Sequence, residues 1–191
     1  GADFNTLTLS TIIGDLNYGF YAITSDSNTI SSSYLSGGQR GAWLGSGADK
    51  NSLRLSTITS NSVGNPALFI NAASSNSIEG SYIRGSTAAF IQNSTGSVFL
   101  NTVLVATNTA GDALFVAGGG VNLFLTSSTL SAPSQGRGLV WGPGLSGTLD
   151  LSSVTVTGAR RGVELATAAY GFALDIDSIT FRGLASGATA I

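Results

Sequence analysis

A stack of short parallel strands, wound into a coil that closes about every 24 residues, is the fold this sequence predicts. Three observations predict it. The first is a recurring stretch seen at Leu53-Arg54-Leu55-Ser56-Thr57-Ile58: an apolar residue, a spacer, a small or apolar residue, a small polar residue, a spacer and a branched apolar residue. The skeleton returns at Leu7-Leu9-Ser10-Ile12, Ile30-Ser32-Ser33-Leu35, Ile78-Gly80-Ser81-Ile83 and Val98-Leu100-Asn101-Val103. It returns again at Leu125-Ser127-Ser128-Leu130, Leu149-Leu151-Ser152-Val154 and Leu174-Ile176-Asp177-Ile179. The alternation is that of a strand, and the small polar residue interrupts it as a bend does. The second observation is another short strand between copies, a small residue followed by an in-out-in triplet, as in Gly41-Ala42-Trp43-Leu44, Gly138-Leu139-Val140-Trp141 and Gly162-Val163-Glu164-Leu165. The third is a composition of 26 Gly, 3 Pro and abundant Ser and Thr, which suits many tight turns and disfavours long helices.

Taken in order, residues 5–13 open the first coil and Tyr18-Gly19-Phe20-Tyr21-Ala22 supplies its next strand. Thr24-Ser25-Asp26-Ser27-Asn28 is a turn cluster leading into the second coil. Asn5, Asn28, Asn51 and Asn76 stand two residues ahead of successive apolar starts, so stacking places their amides in a ladder that satisfies buried turn backbone. Ser10, Ser33, Ser56, Ser81, Asn101, Ser128, Ser152 and Asp177 are expected to serve the next corner in the same way. The inward columns are expected to be Leu7/Ile30/Leu53/Ile78/Val98/Leu125/Leu149/Leu174 and Ile12/Leu35/Ile58/Ile83/Val103/Leu130/Val154/Ile179. Coil length varies mainly before the strand that follows, at 106–112 and 132–137. Residues 1–191 thus read as one domain of eight coils, the last incomplete, stacking to roughly 35–40 Å. With no Met and no polar cap over either open strand edge, the chain is expected to be a fragment of a longer protein.

The segment Asn28-Thr29-Ile30-Ser31-Ser32-Ser33-Tyr34-Leu35, followed by Gly41-Ala42-Trp43-Leu44, resembles the repeat of right-handed parallel β-helix proteins. That superfamily includes pectin-lyase-like polysaccharide enzymes, phage tailspikes, and passenger and adhesin domains of bacterial surface proteins. The resemblance implies a right-handed coil. The chain departs from the usual repeat in placing Ser where the bend Asn is common. The superfamily's clustered Asp pairs and Gly-His-Gly do not occur, so the resemblance implies no catalytic residue here.

The absence of Cys removes disulfides and thiolate metal sites, and the absence of His removes the commonest general base and metal ligand. Neither a cofactor nor a metal is expected. A net charge of -2, with no basic cluster beyond Arg160-Arg161, argues against nucleic acid as a partner. No run approaches the length of a membrane span and no signal peptide is visible.

The strand between copies carries the candidate binding face. Pairing Phe20/Ala22, Ala42/Leu44, Leu68/Ile70, Ala89/Ile91, Leu114/Val116, Leu139/Trp141 and Val163/Leu165 inward makes an apolar core. The opposite register buries Asn71, Gln92 and Glu164 without partners. The outward column is then Tyr21, Trp43, Phe69, Phe90, Phe115, Val140, Glu164 and Thr189. Its five rings, Tyr21, Trp43, Phe69, Phe90 and Phe115, form an apolar strip about 20 Å long. Such a strip is covered by a partner chain or further parent sequence, or it stacks sugar rings. Three of the five rings are Phe, without a polar edge, which favours self-association or packing against the rest of the parent.

Other columns carry weaker chemistry. Asp150 and Asp175 fall side by side on adjacent coils, about 5 Å apart, a placement open to acid/base work, cation attraction or plain solvation. Arg54 is expected to pair with Glu79, and Asp112 with Arg137, as exposed ladder salt bridges. Glu164 beside Arg161 and Arg137 makes a polar patch at the end of the aromatic strip. Thr57-Ile58-Thr59, Ser153-Val154-Thr155 and Ser178-Ile179-Thr180 resemble the Thr-x-Thr arrays of β-helical ice-binding proteins, but Tyr34, Tyr82, Arg84 and Leu104 interrupt them. The expected function is therefore a non-enzymatic extracellular or cell-surface module of an adhesin, passenger domain or fibre, making protein or glycan contacts. A polysaccharide-active enzyme or carbohydrate-binding module on the same scaffold is the alternative, and ice binding a more distant one.

Overall fold

The computed structural model describes residues 2–143, 145–166, 172–187 and 189. One coil consists of three strands, as in Thr6–Thr8, Thr11–Gly14 and Tyr18–Ile23, and each strand pairs in parallel with its counterpart one coil on. Among the described residues the first and second sheets hold eight strands each and the third holds seven. The described residues therefore make about seven complete turns, with two strands of an eighth coil. No helix occurs among the described residues.

A flat strand turns a tight corner where one residue takes the left-handed conformation, and such residues stack in columns. Between the first and second sheets they are Leu9, Ser32, Leu55, Gly80, Asn101, Ser127 and Ser153, with φ between 48° and 57°. Ahead of the first sheet stand Phe4, Ser27, Lys50, Ser75 and Gly96, and after the third Thr24, Ser46, Ala72, Asn93 and Gly118. At the corner between the second and third sheets only Gly158 and Gly183, on the last two coils, are left-handed among the described residues.

Bending leaves backbone donors unpaired inside the coil, and stacked side chains take them. Asn5, Asn28 and Asn51 each direct a backbone N–H to the amide oxygen of the Asn one coil on, at 2.8–2.9 Å. At the next corner the backbone N–H groups of Ser10, Ser33 and Ser56 donate to the hydroxyls of Ser33, Ser56 and Ser81. Those hydroxyls in turn donate to the carbonyl two residues back, as Ser56 does to Arg54 at 2.7 Å. A further ladder, not foreseen from the sequence, runs through Asp3, Asp26 and Asp49, whose carboxylates accept the N–H of Asp26, Asp49 and Ser74.

Both polar ladders become apolar partway along, and this corrects the expected columns. The Asn column passes through Ser97 to Leu123, Leu149 and Leu174. The Ser column passes through Thr102, not Asn101, to Ser128 and then to Val154 and Ile179. Leu149, Leu174, Val154 and Ile179 therefore point inward as expected, but one ladder place over. The main columns continue instead through Leu125, Leu151 and Ile176, and through Leu130, Val156 and Phe181. Ser152 and Asp177 lie outside the ladder and bond each other at 3.2 Å. Val98 and Val103 are corrected outright: both are half-buried on the outer side, and Phe99 and Leu104 fill the core. A one-residue slip in a strand exchanges its faces, which is why two adjacent apolar residues mislead.

The third sheet adopts the expected register throughout, with Ala42, Leu68, Ala89, Leu114 and Leu139 in one inward column and Leu44, Ile70, Ile91, Val116 and Trp141 in the other. The small residue opening each of these strands has a packing cause: a Cβ on Gly41 would come within 2.5 Å of the Thr59 carbonyl.

At the junction of the Asn ladder with its apolar continuation, Asn76 Nδ2 and Ser97 Oγ are buried without a partner. Asn51 lies mid-ladder, accepting from Asn28 and donating to Ser25. In urea unfolding Asn51→Ala is expected to cost about 2 kcal/mol, whereas Ser97→Ala leaves stability unchanged or raises it by roughly 1 kcal/mol. Equal losses in the two variants would contradict the ladder account.

Candidate functional site

The outer face of the third sheet gathers the side chains with binding chemistry. Tyr21, Trp43, Phe69, Phe90 and Phe115 stack in one column in register. Their successive ring centroids lie 4.9, 5.7, 5.1 and 4.9 Å apart. The rings face outward as expected, but the strip is not bare. Each ring lies against the next, so Phe69 is only 8% exposed, Trp43, Phe90 and Phe115 are half-buried, and Tyr21 alone is open at 47%. Tilted contacts of this kind stabilise a column beyond its buried area.

Two members of the face were not singled out from the sequence. Tyr18 stacks on Tyr21 at 5.2 Å, and Arg40 lies over Tyr18, Trp43 and Phe69 at 5.9, 5.1 and 4.8 Å. Arg40 is held from the side by Asn65 Oδ1 at 3.2 Å. Tyr18 and Arg40 are registered partners, three residues ahead of Tyr21 and Trp43, and that common offset was the available signal. Asn71 and Gln92 pair in register on the opposite flank. The aromatic column is thus bordered by a guanidinium on one side and carboxamides on the other.

Beyond Phe115 the column continues as buried Val140 and then Glu164. Thr189 does not extend it: its bridge is to Arg161. Asp112, Arg137 and Arg161 occupy the flank here. Asp112 takes the fork of Arg137 through Nε at 2.7 Å and Nη2 at 2.9 Å. The remaining Arg137 nitrogen reaches Glu164 at 3.3 Å, and Arg161 holds the other Glu164 oxygen at 2.6 Å.

The expectation of exposed ladder bridges therefore holds for Arg54–Glu79, at 3.0 Å with 52% and 34% of the side chains exposed, but not for Asp112, whose side chain is 9% exposed. Burial pushes the Asp112 carboxyl above its ordinary range despite Arg137. Burial also pushes on Glu164, but the hydrogen bond from Arg161 and the charge of Arg137 outweigh it, and its carboxyl is held low.

The other expected sites lie elsewhere. Asp150 and Asp175 are registered partners on the first sheet, away from the aromatic column. Among the described residues no group of three acidic side chains is placed to hold a metal. On the second sheet Thr57, Tyr82, Val103, Thr129 and Thr155 share an outward column, so the hydroxyl array is broken by Tyr82 and Val103, and Leu104 is inward instead.

A family model described as "Right handed beta helix region" matches residues 1–169. No curated protein matches the chain. Among solved structures, the A-module of mannuronan C-5 epimerase AlgE6 from Azotobacter vinelandii is similar with a TM-score of 0.53 at 9% identity, over 95% of this chain and 59% of that one. Tailspike protein 2 of bacteriophage CBA120 gives 0.46 at 10% identity, over 92% of this chain and 28% of that one. A tailspike of E. coli bacteriophage HK620, solved with a pentasaccharide, gives 0.45 at 11% identity, over 96% and 49%. The chain spans less than two thirds of each of these proteins, and at such identities the likeness is one of fold.

The two Arg pairs differ in what their loss leaves behind. Arg137→Ala strands a buried carboxylate and is expected to cost about 3 kcal/mol, while Arg54→Ala costs under about 1 kcal/mol. Chemical denaturation of both variants checks this, and comparable losses would contradict the assignment of Arg137 as the keystone of the charged cluster.

Proposed function

The chain belongs to the right-handed β-helix family, and on that premise we propose that it is a non-enzymatic extracellular contact module whose third-sheet outer face binds a glycan. The observation that carries the reading is the column of stacked rings bordered by hydrogen-bonding side chains: Arg40 and Asn65 on one flank, Asn71 and Gln92 on the other. Sugar rings offer C–H groups to aromatic faces and hydroxyls to guanidinium and carboxamide groups. A homodimer core asks for a continuous open apolar patch. Here the rings already cover one another, so self-association is the weaker reading. The module is proposed to belong to a surface adhesin, passenger domain or fibre, where a long coil presents such a face to its surroundings. No helix is long and apolar enough to cross a membrane among the described residues.

One observation favours the enzyme alternative: Asp112, a buried carboxyl with a raised pKa, lies beside Glu164 at the end of the aromatic column. Both carboxylates are engaged by Arg137, and the fork on Asp112 occupies the oxygens that proton transfer requires. Likeness in fold does not choose between these classes, since one scaffold hosts both.

Trp43 lies in the face and Trp141, the other Trp, is sealed in the core, so ligand-induced change in intrinsic fluorescence reports on Trp43. Titration with a glycan panel is expected to shift the emission of the wild type and not of Trp43→Phe, with a mass independent of protein concentration. A mass that rises with concentration and falls in Trp43→Ser assigns the face to self-association instead. Reducing sugar released by the wild type and not by Asp112→Asn assigns it to an enzyme.

A further inference from the structure

Four of the chain's eight basic residues, Arg40, Arg137, Arg160 and Arg161, border the third-sheet face, against two of its ten acidic ones, Asp112 and Glu164. The face is therefore positive by two in a chain whose net charge is -2. One of these two charges is Arg40, at the start of the aromatic column, and the other lies where the column ends. There Arg137, Arg160 and Arg161, with Gln135 and Ala110, line a cleft of about 280 Å³. Arg137 is fully committed to Asp112 and Glu164, and Glu164 holds Arg161 by one nitrogen. The guanidinium of Arg160 has no ion pair among the described residues, and its side chain is exposed.

We propose that this cleft is an anion subsite, in which Arg160 and the free edge of Arg161 take one carboxylate or sulfate of a glycan lying on the aromatic column, so that the ligand is an acidic polysaccharide. The proposal rests on the reading of the third-sheet face as a glycan surface. Guanidinium forks match the planar oxygens of a carboxylate in two parallel hydrogen bonds, and one unpaired guanidinium in a cleft already neutralised around it meets a single added negative charge. Glu164 acts as a positioning residue: it cancels the charge of Arg137 and orients Arg161 without touching the ligand. The geometry also fixes the order along the chain. Phe115, Val140 and Glu164 are successive members of one column, so a polymer following the rings reaches the Arg cleft within two coils, about 10 Å.

The test uses the whole chain and three acidic polymers, polygalacturonate, hyaluronate and chondroitin sulfate, each against its reduced form, carboxyl-reduced and, for chondroitin sulfate, also desulfated so that no charge remains, with unsulfated chondroitin separating carboxylate from sulfate. At low salt at least one acidic polymer is expected to bind ten times or more tighter than its reduced form. That advantage should shrink with added salt and be lost in Arg160→Ala, and Arg160→Lys should recover part of it. Binding of the reduced form, read from Trp43 emission, should be the same in all three proteins. Arg160 has no ion pair to lose, so its replacement leaves the coil intact, which unchanged urea unfolding verifies. If reduced and acidic polymers bind alike, or Arg160→Ala keeps the full advantage, the anion subsite is wrong and the glycan face stands. If no polymer in either form binds the wild type, both fall.

Discussion

The structure depends on one backbone constraint: a coil of strands must turn its corners tightly without leaving buried N–H and C=O groups unpaired. Here the solution at three places in each of the first five coils is a single left-handed residue, repeated in the same place on the next coil, and at one of those places it continues to Ser127 and Ser153. An L-residue is strained in that conformation by about 1–2 kcal/mol. At two of those places it is set against a side chain that takes the freed backbone donor from the neighbouring coil. The Asn, Ser and Asp ladders are three chemical versions of the same compensation, with acceptor oxygens 2.6–3.2 Å from the donors they serve. Parallel pairing, core columns and the outer faces all follow from corners that repeat in register.

The consequence for the surface is that side chains on equivalent strand positions are stacked at the coil spacing whether or not they suit each other. On the third sheet this produces the tilted aromatic column and, further along, the alternation of Asp112, Arg137 and Arg161 around Glu164. On the first sheet the same geometry merely sets Asp150 beside Asp175, with no basic residue between them. A face acquires binding chemistry only where the stacked residues are complementary. In the described part of this chain that condition is met along one edge of the coil.

Much of this was legible in the sequence because strand alternation is strict where both faces are constrained. The third sheet, with small or branched residues inside and rings outside, was read in the correct register along its whole length, and the Asn ladder was visible as a fixed offset before Ile30, Leu53 and Ile78. Legibility failed where polarity changed along a column. Once Leu123 and Leu149 replace Asn, and Val154 replaces Ser, an apolar ladder place cannot be told from a core place by pattern alone. It failed again at Val98-Phe99 and Val103-Leu104, where two apolar neighbours left the face undecided. The site was half visible. The rings were found, but their mutual burial and the Arg40 cover depend on rotamers and on a flank set three residues away.

The corner account is tested most directly at Leu55, which is left-handed at φ 48° while its side chain is 68% exposed, so that burial contributes little there. Leu55→Gly relieves the strained conformation and Leu55→Val, β-branched, aggravates it, although both shorten the same exposed side chain. In urea unfolding the account predicts that the Gly variant is at least as stable as the wild type and that the Val variant loses about 1 kcal/mol or more. Equal losses in the two variants would show that the Leu55 side chain, and not its backbone conformation, is what the corner requires.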